Sequence, residues 1–189
     1  MLSYLNDPKI KTKYLRRVRA HRKADLLAQG ETGSPSKGER GCAVACTLDR
    51  YDHKGYESEL GLPEWLARLE DTIFEGLPPK EAMKWPDQFL NAIPVGVNLD
   101  RVRYRFALAL LGENTERVKS LEIDDELKQK VLDAIEQVAA VNRVAEETGE
   151  WDESAAWSAA ESAESAWSAA WSAAYIRYRD ILLDLLRNA

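Results

Sequence analysis

Two cysteines and two histidines in 189 residues are too few for a disulfide framework and leave little material for a structural zinc site. Long apolar runs are missing too. None approaches the ~18–20 uncharged residues of a membrane span, and Met1-Leu2-Ser3-Tyr4-Leu5 is too short, and followed by too polar a stretch, for a signal peptide. A cytoplasmic protein with no membrane partner is therefore expected. No pair of strand-like runs flanks a hairpin turn, and no glycine-rich phosphate loop is found. Neither a metal nor a cofactor is expected. What is present, 45% apolar and 31% charged residues, suffices to bury one sizeable core.

The formal charge of −6 hides a division. Residues 1–40 hold ten Lys/Arg against four Asp/Glu, net +6, so residues 41–189 carry −12. Such asymmetry fits a basic arm for an anionic partner, or a basic element docked on the protein's own acidic body.

Asp7-Pro8 reads as N-cap and first helical residue, and Gly30 as a stop, predicting a first helix over 8–29. Ile10, Tyr14, Val18 and His21 share one quarter of its wheel, whereas Lys9, Lys13, Arg16, Arg19, Arg22 and Lys23 spread round the remainder. Residues 31–41 read as a loop. The apolar run 41–48 fits a buried helical turn or a strand, and periodicity does not decide between them. After the polar stretch 49–61, Pro63, Pro79 and Pro86 start short helices, and Asn98 caps one over 99–111 that ends at Gly112. Asp124 or Asp125 caps a longer helix to Thr148, Gly149 turns the chain, and Asp152 caps the last. Ser154, Ser158, Ser162, Ser165, Ser168 and Ser172 advance 3.6 residues per step, the α-helical period, beside a stripe of alanines and an aromatic sector with Trp157, Trp167 and Trp171. The expected fold is all-α: short helices in 1–122, then a long antiparallel hairpin in 123–189 about Gly149, the two parts forming one compact unit.

Several residues are candidates for chemistry. Cys42 and Cys46 are four apart, as are His21 and Asp25; assembled in space, a thiol, an imidazole and a carboxylate form a thiol-nucleophile triad. The competing reading is two small buried hydrophobes. Cys42, Cys46 and His53 with Asp49 or Asp52 match no familiar zinc spacing. Arg101 and Arg105 share a helix face and suit either a phosphate or ion pairs to the acidic body. With the basic helix and an aromatic from the C-terminal stripe, they suggest a pocket for a nucleotide-like anion. Trp167 and Trp171 suit a partner surface or a core. The eight Lys/Arg from Lys9 to Lys23, with no acid among them, are the strongest electrostatic feature and admit nucleic acid as a partner.

The runs Gly41-Cys42-Ala43-Val44-Ala45-Cys46-Thr47, Tyr51-Asp52-His53, Leu60-Gly61-Leu62-Pro63, Leu66-Ala67-Arg68-Leu69-Glu70-Asp71 and Ile73-Phe74-Glu75-Gly76-Leu77-Pro78 resemble a pattern of uncharacterised bacteriophage and mobile-element proteins across residues 20–110. The resemblance implies origin and brings no catalytic residues. The expected function is stoichiometric binding to a host protein complex, such as anti-defence (anti-CRISPR-like) inhibition. The binding surface would draw on Arg16, Arg19, Arg22, Lys23, Arg101, Arg105, Trp167 and Trp171. A nucleotide-binding protein and a thiol-dependent enzyme are the alternatives.

Overall fold

The computed structural model describes residues 1–121, 125–150 and 171–189. These are mostly helical, and among them no strand forms, only isolated bridges joining Leu2 to Asn98 and both Leu27 and Thr32 to Gly41. The helices are α1 (Pro8–Lys23), α2 (Ala43–Leu48), α3 (Gly55–Leu60), α4 (Glu64–Gly76), α5 (Pro79–Ala82), α6 (Trp85–Ala92), α7 (Val102–Ser120), α8 (Asp125–Thr148) and α9 (Trp171–Arg187). The all-α expectation holds for them. The chain divides into residues 1–100 with 172–189, and residues 101–171. The boundary read from the sequence, between 122 and 123, lies inside the second unit.

In the first unit, Pro8 opens α1 while the Asp7 carboxylate accepts the Lys9 N–H at 2.8 Å. The run whose periodicity was ambiguous is helix α2, all six residues buried. It packs between α1 and α4, and α6 touches all three. Trp85, Phe74, Phe89, Tyr56, Leu60, Leu66 and Ile73 fill the core. Ahead of α1, Tyr4, Leu5 and Asn6 form a turn with φ of 53°, 51° and 58°. Left-handed backbone costs ~1–2 kcal/mol per residue. Burial of Tyr4, whose hydroxyl donates to the Leu90 carbonyl at 2.5 Å, offsets that cost together with the Ser3 hydroxyl, which donates to the Pro94 carbonyl at 2.6 Å. In α9, Leu182, Leu183 and Leu186 are buried, and Arg179 pairs with Glu81 at 2.9 Å.

In the second unit, α7 and α8 pack against each other. Arg105 Nε lies 2.7 Å from Glu146 Oε1 and Arg101 donates to the Glu147 carbonyl, placing the start of α7 beside the end of α8, so the pair is antiparallel. The hairpin partner that the described residues give α8 is thus the helix before it. Most of the expected partner stretch, 151–170, lies outside the described residues, as does Asp124.

Three boundaries correct the sequence reading. The first helix ends at Lys23 rather than Gln29: Asp25 turns left-handed (φ 58°), and Leu26 and Ala28 pair instead with Gly41, at 2.9 Å each. Gly112 does not stop its helix, which continues to Ser120. A helical glycine costs ~1 kcal/mol relative to alanine, too little to end a helix that has α8 to pack on. The polar stretch 49–61 contains α3, closed by Gly61 at φ 63°.

Candidate functional site

Among the described residues, two places gather polar chemistry. The first is the outer face of α1. Buried Tyr14, Leu15 and Val18 fix which side of the helix faces the core. Two of its cations turn inward: Lys11 donates to the Asn91 and Ile93 carbonyls (2.8 and 2.6 Å), and Arg17 to the Thr47 carbonyl (3.0 Å). Both sit at C-terminal ends of helices, where carbonyls lack intrahelical donors. Lys9, Lys13, Arg16, Arg19, Arg22 and Lys23 remain exposed. Arg19 pairs with Asp87 of α6 at 2.5 Å. Arg16, Arg22 and Lys23 close no salt bridge with a described residue.

The second place surrounds the acidic pair of α4. Glu70 and Asp71 are both buried. Tyr56 donates to Glu70 Oε2 at 2.5 Å, and the indole N–H of Trp85 donates to the Glu70 carbonyl at 2.9 Å. Among the described residues, Glu70 Oε1 and Asp71 Oδ1 close no hydrogen bond of good geometry, although the Cys42 thiol lies against the Asp71 carboxylate. Burial pushes the Glu70 carboxyl well above the usual carboxylate range, the Asp71 charge adds to the rise, and the Tyr56 hydrogen bond opposes it. The other Asp71 oxygen, Oδ2, accepts from Tyr51 at 3.1 Å and from His53 Nε2 at 3.2 Å. The Tyr51 and His53 rings meet edge to face, 4.8 Å apart. Tyr51 is 48% exposed, so this cluster reaches the surface at one end.

The thiols do not join His21 and Asp25. His21 Nδ1 lies 2.8 Å from the Cys46 carbonyl oxygen, and Asp25 pairs with Arg40 at 2.7 Å. The four-residue spacing fails to align His21 with Asp25 because α1 ends between them. Both cysteines are buried. Burial raises the Cys46 thiol to about 12, with the charges of Asp49 and Glu70 adding. Cys42 lies higher still, chiefly through burial and with a further rise from Asp71. Neither thiol has the electropositive surroundings that yield a thiolate near neutral pH.

Among the described residues, no group of three or more His, Cys, Asp or Glu side chains is arranged to hold a metal ion. Of the weighed ligands, His53 faces Asp71, Asp49 accepts the Ser36 N–H at 2.6 Å, and Asp52 pairs with Arg50 at 3.0 Å. Arg101 and Arg105 are taken up by the end of α8. Trp167 and the side chain of Trp171 lie outside the described residues. No described helix is long and apolar enough to cross a membrane.

The buried acidic cluster was missed in the sequence, although one signal for it exists. Leu66, Ala67, Glu70, Ile73 and Phe74 recur at helical spacing, which sets Glu70 on the apolar face of α4. The chain matches no protein-family model, no curated protein and no solved structure.

Proposed function

We propose that this chain is an accessory protein of a phage or mobile element that acts in the host cytoplasm by binding stoichiometrically to a host protein complex, in the manner of an anti-CRISPR inhibitor. The observation that carries this reading is the exposed, acid-free cationic face of α1, held on a packed core by Tyr14, Leu15, Val18, Lys11 and Arg17. A preformed charged face steers association, and its helical backbone needs no ordering on docking. The buried thiols, raised by desolvation, favour binding over thiol turnover. The resemblance across residues 20–110 supports the origin. A C-terminal hairpin about Gly149 belongs to the same reading: the helix that starts at Glu153 would lay its alanine face along α8, where Val131, Ile135, Val138 and Val141 are half-buried.

The test is reconstitution with purified RNA-guided nuclease effectors. The chain should co-elute at a fixed ratio with one of them and block target cleavage, and its expression should raise phage plating on a host carrying that effector. Absence of co-elution together with unchanged plating on every defended host tested would overturn the reading.

A further inference from the structure

Lys9, Lys13, Arg16 and Lys23 fall within 80° of one another on the α1 wheel, at 100° per residue, and all are exposed. Thr12, whose hydroxyl donates to the Pro8 carbonyl at 2.9 Å, flanks them and Ala20 lies between, and no acid occurs from Pro8 to Ala24. At 1.5 Å per residue, the row from Lys9 to Lys23 is about 21 Å long. None of the four closes a salt bridge with a described residue; Lys13 donates to the Tyr14 hydroxyl at 3.3 Å, lies 4.7 Å from the centre of that ring, and is near enough to Glu59 for its charge to favour that carboxylate.

The side chains on this face narrow the kind of partner. Protein interfaces concentrate their energy in buried aromatic and aliphatic anchors and are depleted in lysine. The exposed large hydrophobic residues of the described chain are Met1, Leu2, Leu5, Tyr51, Leu121 and Val144, none of them on α1. Phosphate contacts need only cations and hydroxyls at fixed positions. Single strands are gripped by aromatic platforms on which unstacked bases lie, and the aromatic of α1, Tyr14, is buried. A duplex has its bases stacked already and offers two rows of phosphates to a straight row of cations. The acidic remainder of the chain would repel a polyanion and confine it to this face.

We propose that the outer face of α1, comprising Lys9, Lys13, Arg16 and Lys23, docks on the phosphate backbone of a double-stranded nucleic acid without reading its bases. This rests on the reading that the chain works by binding through α1, and it assigns that face to the nucleic acid held by the host complex rather than to the complex's protein.

Titration of the full chain with two fluorescent 20-base-pair DNA duplexes of unrelated sequence tests it, with a dT20 strand and polyglutamate as competitors. Both duplexes should bind alike. The logarithm of the association constant should fall with the logarithm of salt concentration at a slope of about −3.6, four contacts at ~0.9 each. Arg16→Gln should reduce the slope by about 0.9. Lys9→Glu/Arg16→Glu should weaken binding at least a hundred-fold while leaving the circular dichroism and melting temperature unchanged. A slope shallower than −1, unaltered binding by the double variant, or tighter competition by dT20 or polyglutamate than by unlabelled duplex would each overturn the proposal. Failed duplex binding with intact capture of a host effector would overturn this docking alone. Intact duplex binding with no effector captured would overturn the host-target reading alone.

Discussion

Tyr56 and Glu70 share a 2.5 Å hydrogen bond inside the first unit, both fully buried, on α3 and α4 respectively. Because burial raises the Glu70 carboxyl far above its ordinary value of 4.5, the folded chain holds a proton there that the unfolded chain releases. Stability from this group is complete below pH 4.5 and is lost as pH climbs toward the folded value, by about 1.4 kcal/mol per pH unit for one proton. Glu70→Gln is neutral and nearly isosteric, so it abolishes that loss. Melting curves from pH 4 to 8 should show the wild type falling relative to Glu70→Gln. For a chain of this size, 1 kcal/mol corresponds to about 2–4 °C. Parallel curves would show that Glu70 is ionised in the folded state.

Two glycines should respond oppositely to alanine. Gly112 is exposed inside α7, and a Cβ there meets nothing within 4 Å. Gly112→Ala should therefore raise stability by ~0.5–1 kcal/mol. Gly61 has φ +63°, and its Cβ would stand 2.3 Å from the Leu2 carbonyl oxygen. Gly61→Ala should cost ~2 kcal/mol or more from backbone strain and displaced contact. Hydrogen exchange should then show the Leu5 amide, which donates to the Leu2 carbonyl at 3.0 Å, losing protection first. Equal melting temperatures for the two variants would contradict the packing at Gly61.

Lys11 holds the end of α6 through two carbonyls, at 2.8 and 2.6 Å. Lys11→Met keeps an unbranched apolar stem of the same length and removes the ammonium. The loss should be about 1 kcal/mol, chiefly the cost of unpairing the part-buried Ile93 carbonyl, since the bond to Asn91 is exposed to water, read as a shift in the urea midpoint. An unchanged midpoint would mean that water replaces the ammonium without penalty.

The legible features were those whose cause is local. Asp7-Pro8 marked the start of α1, and the periodicity of Ile10, Tyr14 and Val18 identified its inner side. The end of α1 was not legible, because Leu26 and Ala28 are held by Gly41, and pairing across that loop leaves no trace in helix periodicity. The same long-range pairing separated His21 from Asp25. The acidic cluster joins Tyr51 and His53 on a loop to Asp71 on α4, a contact that no spacing rule anticipates, although the phase of Glu70 was readable. Arg101 and Arg105 were readable as a shared face, but only the fold showed that the end of α8 occupies them.

Cys42 and Cys46, whose spacing allows a nucleophile, are two buried groups in the fold. Thiolate is the species that alkylates, and an unperturbed cysteine near 8.5 is partly ionised at pH 8. With Cys46 raised to about 12, its thiolate fraction falls roughly a thousand-fold or more relative to a free thiol. Cys42, 2% exposed, is disfavoured further by Asp71. Iodoacetamide at pH 8 should label neither residue in the native chain on the timescale that labels both in 6 M guanidinium, as mass spectrometry after quenching would show. Asp71→Asn should accelerate Cys42 more than Cys46, since the carboxylate charge contributes to the rise at Cys42. Rapid native labelling of either cysteine would restore the thiol-enzyme alternative, and equal acceleration of both by Asp71→Asn would indicate loosened packing rather than a lost charge.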